Sequence, residues 1–178
     1  MPSFRHLVLI GLSGSGKSTV GRLLAVRLDL DFVDTDELIV SREGRSIPEI
    51  FAHSGEEAFR ECERRAVASA VDGPPAVIAT GGGAPIDGRN RAALWEGNAV
   101  VWLDAPVAVL AARVGAAGGR PLLAGGAEAR LAQLRAAREP LYALAHLRVQ
   151  TGNRSPESVA IEIESALASV AGGSESGG

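Results

Sequence analysis

The chain has 178 residues, 46% of them hydrophobic and 22% charged, and its formal net charge is −3. This composition and length are typical of one soluble globular domain with its own hydrophobic core. The net negative charge argues against a nucleic-acid-binding surface, because such surfaces carry an excess of Lys and Arg.

The chain carries one cysteine, Cys62. It cannot form an internal disulfide, which favours a reducing compartment, and a small residue on a helix is its simplest interpretation. No apolar run is long enough to span a membrane, and no signal-peptide pattern precedes the first predicted strand. We therefore expect a cytoplasmic monomer that binds neither nucleic acid nor membrane.

A glycine-rich motif follows the first apolar run, residues 7–10. Residues 11–18 read GLSGSGKS and fit G-x-x-x-x-G-K-[ST], a loop whose backbone N–H groups bind nucleotide phosphates. Apolar positions at helical spacing follow it, so a helix N-terminus faces the anion. Lys17 is predicted to reach the β- and γ-phosphates and Ser18 to bind Mg²⁺. The expected ATP-binding residues of this loop are Gly14, Ser15, Gly16, Lys17, Ser18 and Thr19.

Lys17 is the only lysine, and the other 17 of the 18 Lys and Arg residues are arginines. A planar guanidinium would not fit the same phosphate cradle as a compact ammonium. The retained lysine therefore favours a phosphate loop over a glycine-rich turn that matches by chance.

Two carboxylates end the next predicted strand, residues 30–36. Because side chains alternate along a strand, we expect Asp34 and Asp36 to point to the same side, near the edge where parallel sheets bind ligands. Such a pair can serve Mg²⁺ and an acceptor hydroxyl. The alternative is that Asp36 caps the helix that follows it.

The middle of the chain predicts a helix over 47–71, broken near 54–55, and a buried strand over 76–80. Arg60 and Glu63 are three residues apart on this helix, a spacing typical of a solvated surface pair. Residues 81–83 are three glycines directly after the strand. They either bring the backbone close to a ligand or form a mobile turn.

The last part of the chain continues the alternation of strands and helices. Strands are predicted over 99–104 and 147–151, and helices over 106–114, over 128–138 and from Pro156. Between them, residues 115–127 contain five glycines around a single Arg120, which suits either a lid that closes over substrate or a surface loop. Alternating strands and helices predict a parallel sheet covered on both faces. We expect one domain over 1–171 and a flexible tail over 172–178.

The ordered set of motifs resembles shikimate kinase over nearly the whole chain. The phosphate loop is shared with many proteins, but the remaining segments are specific as a set. They are Asp34-Thr35-Asp36, Gly44 to Ile47, Ile50-Phe51, Gly55-Glu56, Phe59-Arg60, Glu63, Gly81 to Gly83, Arg120 to Leu123 and Arg138 to Tyr142.

This resemblance implies an α/β three-layer sandwich with a five-stranded parallel sheet, of the P-loop, nucleoside-monophosphate-kinase type. It also implies transfer of the ATP γ-phosphoryl group to the 3-hydroxyl of shikimate, with Mg²⁺. Asp36 would hold the acceptor hydroxyl and Asp34 would orient water on Mg²⁺. Arg60 and Arg138 would bind the shikimate carboxylate, and Gly81, Gly82 and Gly83 would line the substrate. The lid residue Arg120 would bind the phosphates. Arg113 and Arg154, with Pro156, would flank the adenine.

Two other functions remain open on the sequence. A small-molecule kinase of the same fold, such as a gluconate kinase, would share Lys17 and Ser18 but would not need Arg60 and Arg138. A nucleotide-binding regulatory module would bind nucleotide without an acceptor pocket.

Overall fold

The computed structural model describes residues 4–117 and 126–172. Five parallel strands form one sheet in the order β2-β3-β1-β4-β5. The strands are β1 (Leu7–Ile10), β2 (Asp31–Asp34), β3 (Ala76–Ala79), β4 (Ala99–Asp104) and β5 (Leu147–Gln150). The predicted five-stranded parallel sheet is confirmed.

In the described residues, seven α-helices connect and cover these strands. They are α1 (Lys17–Leu28), α2 (Thr35–Glu43), α3 (Ile47–Asp72), α4 (Gly88–Trp95), α5 (Val107–Ala117), α6 (Gly126–Tyr142) and α7 (Pro156–Gly172), with a short 3-10 helix over Ala84–Ile86. None of the helices in the described residues has the length and apolarity needed to cross a lipid bilayer.

The alternation of side chains along the buried strands creates the three layers. On β1, Leu7 and Leu9 pack against α1 and α7, whereas Val8 and Ile10 pack against α3, α4, α5 and α6 on the other face. All four side chains are fully buried. Burial on both faces explains why the strand reads as a continuous apolar run.

Most element bounds agree with the sequence to within a few residues, with three differences. β2 ends at Asp34, so Asp36 lies in the first turn of α2. The segment 84–95, for which no element was predicted, contains the 3-10 helix and α4. Helix α7 includes Gly172, the first residue of the predicted tail, and residues 173–178 lie outside the described part.

The predicted break in α3 is present at Gly55. Its φ of 80° and ψ of 176° depart from helical geometry, and a positive φ favours glycine because a Cβ would be strained there. The helix before the break begins at a capping box, in which Ser46 and Glu49 exchange side-chain and backbone hydrogen bonds. The helix after the break carries Arg60 and Glu63 toward the sheet edge.

His6, to which the sequence assigned no role, ties three segments together beneath the sheet. Its ring is fully buried, and its Nδ1 accepts from the Ala76 N–H at 3.2 Å. Nε2 therefore carries the proton and donates to the Val71 carbonyl at 3.0 Å. Burial lowers the pKa of His6, which keeps the ring neutral in this network.

This network predicts a pH-dependent contribution to stability. Since the pKa of His6 is lower in the folded than in the unfolded protein, its contribution is present above pH about 6.5 and is lost as the pH falls toward the folded value. We expect the difference in unfolding free energy between wild type and His6→Gln to shrink from pH 7.5 to pH 5 in urea titrations. A constant difference would contradict this assignment, and the comparison cancels titration of other groups.

Candidate active site

The predicted phosphate loop connects β1 to α1 at the carboxyl edge of the sheet. Gly14 and Gly16 have φ values of 82° and 96°, a region in which other residues are strained. The Lys17 ammonium lies inside this loop and donates to the carbonyls of Gly11 and Leu12, both at 2.9 Å. The loop thus holds its only lysine pointing inward.

Burial lowers the pKa of Lys17 to about 8, although the charges of Asp36 and Asp34 oppose the shift. The lysine side chain is one of the few charged groups in the interior of the protein. A buried ammonium with incomplete compensation attracts an anion strongly, because the local dielectric constant is low. The geometry therefore suits a phosphate group at this position.

Asp34 connects the phosphate loop to the start of α2. Its Oδ2 accepts from the Ser18 hydroxyl at 2.7 Å, and its Oδ1 accepts from the backbone N–H of Asp36 at 2.9 Å. The helix cap is therefore Asp34, and the alternative that Asp36 caps the helix is wrong. A hydroxyl and a carboxylate oxygen are the hard ligands that Mg²⁺ prefers.

The prediction that strand alternation brings Asp36 to the site is wrong. Asp36 lies in the first turn of α2 and reaches the site from there. The half-buried carboxyl group lies close enough to Lys17 and Asp34 for their charges to affect it. Burial raises the pKa of Asp36, Asp34 raises it further, and Lys17 opposes both effects. A raised pKa makes this carboxylate a better proton acceptor.

The three glycines after β3 approach functional side chains closely. A Cβ at Gly81 would lie 2.7 Å from Asp36 Oδ1, and one at Gly83 would lie 2.6 Å from Arg60 Nη1. A Cβ at Gly82 would lie 3.1 Å from Arg138 Nη1. The backbone of this turn therefore lies close to the ends of three side chains, which would have to shift to make room for a Cβ. The interpretation that the turn approaches a ligand stays a prediction.

The Arg60–Glu63 pair is not the solvated surface pair that its spacing alone favours. Arg60 Nη1 donates to Glu63 Oε2 at 2.9 Å, and the Glu63 side chain is only 2% exposed. Burial raises the pKa of Glu63, while Arg60 and Arg138 oppose the shift. The pair faces inward because α3, after its break at Gly55, packs against the glycine turn.

Glu63 belongs to the site although it was not among the predicted site residues. A Cβ at Gly81 would lie 3.3 Å from Glu63 Oε1, so Glu63 and Asp36 approach the same backbone position. The sequence indicated Glu63 only as part of the family motif that also contains Phe59 and Arg60. The burial of Glu63 could not be inferred from its spacing.

A cavity of about 270 Å³ lies beside the phosphate loop and is lined by residues of that loop, of α1, α5 and α7, and of the segment after β5. Arg113 Nη1 donates to the Gly14 carbonyl at 3.2 Å, and its Nη2 donates to the Gly152 carbonyl. Arg113 thus joins the phosphate loop to the segment after β5. The other lining residues are Ser15, Gly16, Thr19, Val20, Thr151, Arg154, Pro156 and Val159.

Arg154 lines this cavity but bonds away from it. Its guanidinium pairs with Glu162 and donates to the carbonyls of Gln150 and Ser158. Thr151, which the sequence did not single out, joins the cavity to the phosphate loop because its hydroxyl donates to the Ser15 carbonyl at 3.0 Å.

The predicted lid is described only at its ends. Residues 115–117 complete α5 and residues 126–127 begin α6, so the lid, if formed, is shorter than 115–127. Arg120 lies outside the described residues. Residues 4–117 and 126–172 contain no group of three or more His, Cys, Asp or Glu side chains that could hold a metal ion.

Comparison with known proteins agrees with this geometry. The family model described as shikimate kinase matches residues 13–168. The shikimate kinase of Moorella thermoacetica is 48% identical over 162 residues, which cover 91% of this chain and 94% of that protein.

Among the solved structures that are similar to this chain are shikimate kinases. Shikimate kinase from Acinetobacter baumannii in complex with shikimate has a TM-score of 0.87 and 35% identity, and the match covers 94% of this chain and 95% of that one. A gluconokinase from Sinorhizobium meliloti has a TM-score of 0.65 at 18% identity, covering 97% of each chain, and shares the fold alone. The glycine turn, the acid and arginine pairs around it and these matches together show that the chain belongs to the shikimate kinase family.

Proposed function

We propose that this chain transfers the γ-phosphoryl group of ATP to the 3-hydroxyl of shikimate at the edge of the sheet where the phosphate loop and the glycine turn meet. The observation that carries the proposal is the approach of Asp36, Arg138 and Arg60 to three consecutive glycines. Phosphoryl transfer depends mainly on positioning and on stabilisation of negative charge, and this site provides both.

On the nucleotide side, the loop N–H groups and Lys17 bind the phosphates. When phosphate enters, the ammonium exchanges carbonyl partners for charged oxygens, which are stronger acceptors. Arg113 offers its guanidinium face to the base in the adjoining cavity. Arg120 remains a predicted ligand of the phosphates from the resemblance alone.

The oxygen atoms of the Ser18–Asp34 pair fit Mg²⁺, and the family resemblance implies that Ser18 would bind it directly and Asp34 through water. When bound with ATP, the ion neutralises charge on the phosphates. The hydrogen bond between Ser18 and Asp34 holds both oxygen donors together at the mouth of the loop. The donor set suits a cation that keeps several waters rather than an all-protein cage.

On the acceptor side, Arg60 and Arg138 bind the carboxylate and Asp36 orients the hydroxyl and accepts its proton. Guanidinium groups bind carboxylates through two parallel hydrogen bonds, which fix orientation as well as charge. Glu63 holds Arg60 in place. The raised pKa of Asp36 favours proton transfer to it as the new bond to phosphorus forms.

The alternatives make different predictions in one assay. A coupled assay of ADP release should show turnover with shikimate and little with gluconate. Preference for gluconate would indicate the second kinase class, and nucleotide binding without turnover would indicate a regulatory module. We further infer a monomer in the cytoplasm; the lone cysteine, which cannot form an internal disulfide, supports the reducing compartment.

Removal of the buried ammonium should abolish turnover. We expect Lys17→Met to lower kcat by at least about 10²-fold, because one preorganised donor is removed from the developing charge, while circular dichroism stays unchanged. Lys17→Arg should also be inactive because of its shape. Full activity of the arginine variant would refute the assigned role.

The pKa of Lys17 also predicts a pH dependence of nucleotide affinity. Since the free protein loses the lysine proton as the pH rises through about 8, ADP should bind progressively more weakly from pH 7 to pH 9.5 in calorimetry. Lys17→Met should bind weakly across that range, with little pH dependence. Equal pH dependence in both proteins would place the titrating group elsewhere.

The activities of Asp34→Asn and Asp36→Asn should depend differently on the Mg²⁺ concentration. Asp36→Asn should lower kcat by about 10²–10⁴-fold with little change in ATP affinity, because it removes the proton acceptor. Asp34→Asn should be partly rescued by raised Mg²⁺. Identical responses of the two variants to Mg²⁺ would show that the division of roles is wrong.

Replacing Arg60 or Arg138 by lysine, which keeps the charge but changes the shape of the side chain, should weaken shikimate binding. Arg60→Lys and Arg138→Lys should each raise the shikimate KM by about tenfold, since bidentate geometry is lost. A shikimate analogue without the carboxylate should bind wild type weakly and be nearly insensitive to both changes. If the analogue is equally sensitive to a substitution, that arginine does not bind the carboxylate.

A further inference from the structure

Tyr142, the last residue of α6, connects this helix to the glycine turn. Its hydroxyl donates to the Gly82 carbonyl at 2.5 Å, and the residue is only 1% exposed. Its ring packs on Trp102 of β4, with ring centroids 5.7 Å apart. The sheet therefore supports the ring, and the hydroxyl ends at the turn.

Arg138 lies one helical turn before Tyr142 on the same face of α6. A Cβ at Gly82 would lie 3.1 Å from Arg138 Nη1 and 3.6 Å from the Tyr142 hydroxyl. Both polar groups thus meet at one backbone position. Burial raises the pKa of Tyr142, so the hydroxyl keeps its proton for the Gly82 carbonyl.

A second anchor holds the preceding turn of α6. Arg135 donates to Asp104 Oδ2 at 2.9 Å and to the Ala105 carbonyl at 3.1 Å, at the end of β4. Asp104 is itself buried and held by Arg148 and by Gln150 of β5. Arg138 is therefore flanked by fixed points three residues before it and four residues after it.

We propose that Tyr142 is a positioning residue for the acceptor carboxylate and acts by fixing the Arg138 guanidinium against Gly82. This inference rests on the proposed assignment of Arg138 to the carboxylate. Without the hydroxyl, the Gly82 carbonyl loses a buried donor and the turn can shift, because an unpaired buried acceptor is costly. Arg138 then loses the surface against which its fork is aligned.

Tyr142→Phe tests this inference with the least change of shape. We expect the shikimate KM to rise by about three- to tenfold, the range for one net hydrogen bond, while kcat and the ATP KM stay within about twofold. The matched control is Trp95→Phe, which removes an aromatic N–H donor to the Leu144 carbonyl away from the turn. A purely structural role would lower the melting temperature in both variants and leave the shikimate KM unchanged.

A double-mutant cycle tests whether Tyr142 acts on shikimate binding through Arg138. In an Arg138→Lys background, Tyr142→Phe should change the shikimate KM by less than about twofold, because the group that it positions is already misaligned. A full additional effect in that background, or an unchanged KM in Tyr142→Phe itself, would overturn the proposal. An unchanged KM in Arg138→Lys alone would instead refute the proposed carboxylate site.

Gly82→Ala provides an independent test if Tyr142→Phe does not fold. Its new methyl group would lie 3.1 Å from Arg138 Nη1 and 3.2 Å from the Gly11 carbonyl of the phosphate loop. We expect the shikimate KM to rise by a larger factor than the ATP KM. An unaffected shikimate KM in this variant would overturn the proposal.

Discussion

The constraint on which the site depends is the burial of one ammonium group inside the phosphate loop. The Lys17 pKa is about 8 in the folded protein and 10.5 as its ordinary value. Because the pKa is lower in the folded protein, Lys17 adds to the free energy of unfolding above pH about 10.5, and this contribution is lost as the pH falls through about 8. At neutral pH the charged lysine therefore destabilises the free protein, and a bound phosphate offsets that cost. Affinity for the nucleotide and instability of the empty loop have the same physical origin.

The acceptor pocket is assembled from segments that are far apart in the chain. The parallel order places the ends of β1 and β3 side by side, and β2 lies next to β3. The phosphate loop, the glycine turn and the start of α2 consequently share one edge. Helix α3 then brings Arg60 close to Gly83, and α6 brings Arg138 close to Gly82. A Cβ at either glycine would press on the end of the neighbouring arginine side chain.

The sequence predicted the parts of the site that depend on local rules. The phosphate loop and the break at Gly55 follow from spacing and from the special backbone of glycine. Strand alternation failed for Asp36 because the chain already turns into α2 after Asp34. Glu63 and Tyr142 could not be placed, since their burial depends on contacts between elements that are distant in sequence. Burial of this kind is a tertiary property, whereas the i, i+3 spacing of Arg60 and Glu63 is a local one.

The charges around the glycine turn already balance before any acceptor arrives. Two acids, Asp36 and Glu63, face two guanidinium groups, Arg60 and Arg138, and burial raises the pKa of both acids. An acceptor carboxylate adds a third anion to this group, which raises both pKa values further. Its binding should therefore be accompanied by proton uptake in the pH range where these acids titrate. Acidity would then tighten the complex while removing the ionised form of Asp36, so that binding and turnover respond to pH in opposite directions.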